Sequence, residues 1–293
     1  MPGSSARVIA DIFRHSTLAP KLCLNVSELG VTKMSYEFIR IEQTEHVSTV
    51  VLNRPENMNA LNSGIMQEIE QVSRSFLDDE QTRVVVIRGE GRHFSAGADL
   101  KQPAAEQSMV MLRRSAALGG RMIRAITEIN QVTIASIHGA ALGGGACIPT
   151  ACDFRIGSDE CFCGYPEVNL GINLQWHALP LCVRLIGPAR AKRMIMLGAR
   201  EEAQTLLEWG FLDAVVPRTE LENATRALAE QYARQPPIAV QMIKQSINAV
   251  SGALDDAIMH MDSDQYMLTA RTDDRDEGIS AFFEKRDPEF KGN

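Results

Sequence analysis

His138-Gly139-Ala140-Ala141-Leu142-Gly143-Gly144-Gly145-Ala146 is the stretch around which the chain is organised. An apolar run, residues 132–137, leads into it, and small residues follow. Three consecutive glycines make poor helix and poor strand interior, because glycine loses more backbone entropy on folding than any other residue. What they permit is close approach of the backbone to another group. If a helix starts there, its first N–H groups lack intrahelical partners and present partial positive charge. The stretch therefore reads in two ways: as a cradle for an oxyanion or phosphate, or as a tight strand-to-helix turn without a ligand.

On either side the patterning is regular. Residues 38–42 and 47–52 read as strands about a polar turn, and Asn53-Arg54-Pro55-Glu56-Asn57 breaks the second. Residues 59–63 offer a helix cap. Ile65, Met66, Ile69, Val72, Phe76 and Leu77 then recur at helical spacing until Asp78-Asp79-Glu80. Residues 84–89 form an apolar strand. The ββα order returns with a strand at 132–137, a helix at 140–152 and strands at 154–157 and 161–164. Helices are predicted at 188–197 and 203–209, then a strand at 214–217. A helical tail follows, with patterns at 221–234, 238–250, 254–270 and 278–285. Strands separated by helices imply parallel pairing with right-handed connections.

We divide the 293 residues into an N-terminal extension (1–33), an α/β core (34–230) and a C-terminal helical region (231–293). The extension opens with Met1-Pro2-Gly3-Ser4-Ser5, flexible in character, and carries Arg7, Arg14, Lys21 and Lys33 against Asp11 and Glu28. A basic leader of this kind fits a mitochondrial presequence, which would send the protein to the matrix. We favour an extension without a role, with Met34 as the real start, and a cytoplasmic protein.

A formal net charge of −7, spread along the chain, argues against nucleic acid as a partner. No apolar run reaches the ~20 residues of a membrane helix. The six cysteines, at 23, 147, 152, 161, 163 and 182, include no Cys-x-x-Cys pair and no histidine at ligand spacing. A zinc site or disulfide framework is not expected, and no metal is assigned. Gly89-Glu90-Gly91-Arg92-His93-Phe94 lacks the third glycine of a dinucleotide loop, and Ser95 lacks a nucleophile elbow.

A pair of small-residue turns remains. Phe94-Ser95-Ala96-Gly97-Ala98-Asp99-Leu100-Lys101 follows the 84–89 strand, and the triple glycine follows the 132–137 strand. One N–H from each turn, converging on one oxygen, would stabilise a developing oxyanion. A third element, Gly164-Tyr165-Pro166-Glu167-Val168-Asn169-Leu170-Gly171, adds a glutamate. Taken with Leu52-Asn53-Arg54-Pro55, Asn59-Ala60-Leu61, Ala151-Cys152-Asp153-Phe154-Arg155 and the 282–292 tail, these motifs resemble the crotonase superfamily, the enoyl-CoA hydratase/isomerase family, over residues 35–293.

The resemblance implies an α/β fold, a crotonase-like spiral of ββα repeats with a C-terminal helical trimerisation region, as a homotrimer or hexamer. It implies an acyl-CoA thioester as substrate, with coenzyme A part of that substrate and no separate cofactor. The N–H groups of Ala98 and Gly144 would bind the thioester carbonyl, and Glu167 would move the proton. Ala96, Asp99, Leu100 and Lys101 would line the coenzyme A path, and Phe282 and Lys285 would approach the coenzyme A of a neighbouring subunit. Asp153 is read as structural.

Family hydratases carry two glutamates, and the position of the first falls on Cys147 here. A neutral thiol holds water poorly, being a weak donor and acceptor. Isomerases that move a double bond between C3 and C2 need only the second glutamate. Isomerisation therefore ranks ahead of hydration with atypical water positioning, and a degenerate acyl-CoA-binding crotonase without turnover is the non-enzyme rival. The Pro/Gly-rich segment of many hydratases is replaced by Gly171-Ile172-Asn173-Leu174-Gln175-Trp176-His177. Dienoyl-CoA isomerases carry carboxylates where Cys147 and Gln175 fall, so that reading lacks both acids. Trp176 is read as a wall of the acyl pocket. His177 is read as structural, with a second proton carrier as the alternative.

Overall fold

A computed structural model of the chain describes residues 35–101 and 108–293. The readings placed on residues 1–33, Met34 as a start and Cys23 lie outside the described residues. One compact unit runs from Tyr36 to Asn293.

Its centre is a six-stranded sheet in the order β1 (Ile39–Gln43), β2 (Val47–Leu52), β3 (Val84–Gly89), β4 (Val132–Ile137), β6 (Phe154–Ser158) and β9 (Ala214–Val216). β1 and β2 pair antiparallel and the remaining neighbours parallel, as helical connections between strands require. A smaller sheet joins β5 (Ala140–Leu142), β7 (Phe162–Gly164) and β8 (Arg200–Glu202).

The central strands are apolar on both faces because both are covered. Val85, Ile87, Ala135 and Ile137 face the main core with α1 (Ser63–Ser75) and α3 (Leu118–Thr127). Val84, Val86, Val132 and Ile134 alternate with them and meet Ala229 and Ala233 of α8 (Leu221–Ala233). α1 starts where Asn62 Oδ1 accepts the Ile65 N–H at 2.9 Å.

The structure corrects the predicted elements in several places. The helix expected at 140–152 begins only at Gly144, as α4 (Gly144–Ala151). Ala140–Leu142 is strand β5 instead, because its backbone pairs with β7 and with Ser95. The pattern at 254–270 divides into α10 (Asp256–Met259) and α11 (Asp262–Thr269), and the last helix, α12, starts earlier, at Asp273, and ends at Glu284. Helices α2 (Met109–Ala116), α3 and α5 (Ala178–Ile186) and strand β8 were not predicted. α6 (Pro188–Met196), α7 (Ala203–Trp209) and α9 (Pro237–Ser251) match the periodicity within two residues. Among the described residues no helix is long and apolar enough to cross a membrane.

Candidate active site

Hydrogen bonds stitch the three motif turns together. The Ser95 N–H donates to Ala140 O at 3.0 Å, and the Leu142 N–H returns to Ser95 O at 3.1 Å. The Gly143 N–H donates to Gly164 O at 2.9 Å, which ties the glycine turn to the strand that leads into Glu167. The turns therefore close on one another at the C-terminal ends of β3, β5 and β7.

Two glycines make that closure possible. Gly97 has φ +92°, and a Cβ there would lie 2.5 Å from Leu142 O and 3.4 Å from the Gly144 nitrogen. Gly143 has φ +53°, and a Cβ there would lie 2.9 Å from Glu167 Oε1. Either position with a side chain would be strained and would push the turns apart. The N–H of Ala98, beside Gly97, and the N–H of Gly144, at the start of α4, have no acceptor among the described residues. The Ala96 N–H, by contrast, is taken by Met58 O at 2.9 Å.

Glu167 sits in a short 3-10 turn, Pro166–Leu170. Ahead of it Tyr165 is fully buried, its hydroxyl 2.5 Å from Thr150 Oγ1 of α4, so the glutamate enters from an anchored residue. Oε2 of Glu167 is buried without a hydrogen-bond partner. Burial pushes the carboxyl up to about 7. A carboxyl so placed exchanges a proton readily near neutral pH.

A sequence profile described as enoyl-CoA hydratase/isomerase matches residues 42–293. The chain belongs to the enoyl-CoA hydratase/isomerase family. It is 32% identical over 254 residues to a short-chain-enoyl-CoA hydratase of Clostridium acetobutylicum, covering 86% of this chain and 97% of the relative. It is 33% identical over 258 residues to a crotonyl-CoA hydratase of Syntrophomonas wolfei, covering 88% and 99%. The structure is similar to that of an enoyl-CoA hydratase from Mycobacterium avium subsp. paratuberculosis, with a TM-score of 0.80 and 26% identity over 88% of this chain and all of the other. An enoyl-CoA hydratase from Bacillus anthracis gives a TM-score of 0.69 at 34% identity, over 88% and 100%. The fold is the crotonase fold, and the chain is an enzyme of this family.

In this member of the enoyl-CoA hydratase/isomerase family, the position that the resemblance gives to the first of the two hydratase glutamates holds a thiol. Cys147 is buried on α4, and its Sγ donates to Gly143 O at 3.4 Å. Burial raises the thiol well above its ordinary value, and the charge of Glu167 adds to the effect. It stays protonated and is no base. The described cysteines at 147, 152, 161, 163 and 182 are all free and buried. Among the described residues no group of three His, Cys, Asp or Glu side chains is placed to hold a metal ion.

Gln175 Oε1 and His177 Nδ1 are buried without partners. Burial lowers the His177 pKa, and Arg124 lowers it further, so the ring is neutral at physiological pH. Trp176 is 7% exposed, packed between Gly119 of α3 and Gly144 of α4. Asp262 of α11, which the sequence reading missed, accepts the His177 N–H at 3.0 Å. Gly119 was missed as well, since its role is only to leave room.

The remaining predicted residues lie further out. Asp99 pairs with Arg54 at 3.2 Å and accepts the Lys101 N–H at the same distance; Leu100 and Lys101 are exposed. Phe282 is 55% exposed and meets Phe283 edge-on, while Lys285 ends α12 with φ +57°. α12 itself packs on the Pro166–Leu170 turn, where a Cβ on Gly278 would lie 2.6 Å from the Leu170 carbonyl carbon. Asp153 accepts the Thr133 N–H at 2.8 Å and pairs with Lys244 Nζ at 2.7 Å, which is a structural use of its carboxylate.

Proposed function

We propose that the protein binds enoyl-CoA thioesters and moves their double bond between C3 and C2 by proton transfer through Glu167. The thioester oxygen accepts the N–H groups of Ala98 and Gly144. Glu167 removes a proton from C2, negative charge collects on that oxygen as a dienolate, and the protonated Glu167 returns the proton at C4. Donors aimed at the developing oxyanion contribute roughly 3 kcal/mol each to the transition state. One observation carries the preference for isomerisation: the carboxylate of Glu167 stands beside a protonated, buried thiol at Cys147, so one acid/base group is available where hydration ordinarily shares the work between two.

A second reading is hydration of 2-enoyl-CoA, which the names of the relatives favour. In that case Glu167 would hold the attacking water, aided by a polar group such as Gln175 in place of the missing first carboxylate.

Ala96, Asp99, Leu100 and Lys101 lie on the proposed coenzyme A path. Phe282 and Lys285 would reach the coenzyme A of a neighbouring subunit in a trimer or hexamer. The apolar surface of α9, where Ile238, Met242, Ile247 and Val250 are exposed, supports such an assembly.

The test is incubation of the purified protein with 2-enoyl-CoA and 3-enoyl-CoA thioesters, beside Glu167→Gln and Cys147→Ala. Isomerisation by wild type and Cys147→Ala, lost in Glu167→Gln, is the expected result. Activity that survives Glu167→Gln would overturn the assignment of the base. Hydration lost in Cys147→Ala would overturn the account of the thiol.

A further inference from the structure

Trp176 and His177 are consecutive residues with positive φ, +64° and +60°. Side-chain-bearing residues rarely adopt this conformation, and two in succession persist only where the surroundings impose them. Asp262 supplies the constraint from the helical region. It is 8% exposed, and its Oδ2 takes the His177 N–H. Burial raises its carboxyl, and the main-chain N–H groups of His177 and Trp176 act against that rise.

The turn sends its two rings in different directions. The imidazole lies on Gly120, where a Cβ would stand 3.1 Å from Nε2. The indole is wedged between Gly119 and Gly144, and a Cβ on either glycine would overlap ring atoms. The ring therefore lies directly against the residue whose N–H is assigned to the thioester oxygen. Beyond the turn is a groove of about 880 Å³ whose wall includes His177, Ile123, Leu181, Leu185 and Ile247. Trp176 is not part of that wall; it stands on the catalytic side.

We infer that Trp176 closes the far end of the acyl pocket and restricts the enzyme to short acyl groups, and that Asp262 is the positioning residue that sets this depth. The inference rests on the assignment of Ala98, Gly144 and Glu167 above. An acyl chain held by its carbonyl at Gly144, with C2 at Glu167, meets the indole within its first few carbons. Without the indole, the space that the ring fills between Gly119 and Gly144 is free for further carbons of the chain.

The full-length protein is tested with crotonyl-CoA and 2-dodecenoyl-CoA, or with the 3-enoyl isomers if those turn over. Butyryl-CoA and dodecanoyl-CoA, which lack the double bond, are titrated in parallel by calorimetry. Each methylene entering an open apolar channel tightens binding several-fold. A closed pocket shows no such gain, and discrimination against the long chain of about tenfold or more in kcat/KM is expected.

Trp176→Ala is expected to shift the long-to-short ratio by about tenfold or more toward the long chain, and Asp262→Asn to shift it the same way by less. Trp176→Phe keeps most of the wall and is expected to keep the ratio near wild type. A purely structural Trp176 would lower the melting temperature and leave the ratio unchanged, which would overturn the proposal. A wild type that turns over and binds the long chain as well as the short one would overturn it without any variant. If no thioester turns over, the catalytic reading fails while the binding ratio still decides the pocket depth.

Discussion

Replacing Glu167 with Gln is expected to stabilise the protein above neutral pH while removing the proposed proton-transfer group. The carboxyl is buried, its Oε2 has no partner, and burial lifts it from an ordinary 4.5 to about 7. At about 1.4 kcal/mol for each tenfold change in proton affinity, that rise corresponds to roughly 3 kcal/mol. The sign follows from which state holds the proton more tightly. The folded chain does, so the glutamate is at no disadvantage below about pH 4.5, loses stability as pH rises through about 7, and carries the full penalty above that. Glutamine has nearly the same shape and no charge, so it avoids the penalty. Urea denaturation at fixed protein concentration, followed by tryptophan fluorescence at pH 4.5, 6 and 8, measures the difference. A gain of up to about 3 kcal/mol at pH 8, shrinking toward zero at pH 4.5, is expected. Equal stability at pH 8 would show that water solvates the carboxylate in the folded state. A pH-independent gain would show that the advantage comes from packing. Either result refutes the argument.

Three further outcomes follow from the same geometry. The proposed proton abstraction needs the charged form of Glu167, so kcat/KM should rise with pH and level off above about 7; a midpoint near the ordinary glutamate value would contradict the burial effect. Gly143→Ala places a Cβ 2.9 Å from Glu167 Oε1 on left-handed backbone, and kcat should fall on the order of a hundredfold. A variant within a few-fold of wild type, folded by circular dichroism, would show that the turn adapts. Asp153→Ala removes the ion-pair partner of Lys244, whose side chain is only 9% exposed and keeps the Gln131 carbonyl at 2.8 Å, and should cost about 3 kcal/mol in urea, with part recovered by adding Lys244→Met. A loss confined to activity would instead assign Asp153 to the chemistry.

The strands were legible in the sequence because both faces of β3 and β4 are covered, which leaves an unbroken apolar run such as Val84-Val85-Val86-Ile87. The three site turns were legible because glycines and a proline mark them. Strand β5 was not: its three residues pair with β7, a partner distant in sequence, and Ala140-Ala141-Leu142 is as good a helix start as a strand. Helix α3 escaped for a different reason. Gly119-Gly120 breaks helical propensity, yet both are needed for the rings of Trp176 and His177. Asp262 carried no local signal, because its partner lies 85 residues away. Contacts of that range belong to the tertiary fold and leave no period behind.

The wedge of Trp176 between Gly119 and Gly144 also constrains how this chain can change over generations. Gly144 stands in the proposed oxyanion-binding turn, whereas at Gly119 the three atoms nearest an added Cβ all belong to the indole. A lineage that lost Trp176 would be free to replace Gly119 with alanine, a better helix former by about 1 kcal/mol. Once that change was made, tryptophan could not return at 176, because the new methyl would occupy the ring's place. The order of mutations would then matter more than their number, and the step away from the indole would act as a one-way gate.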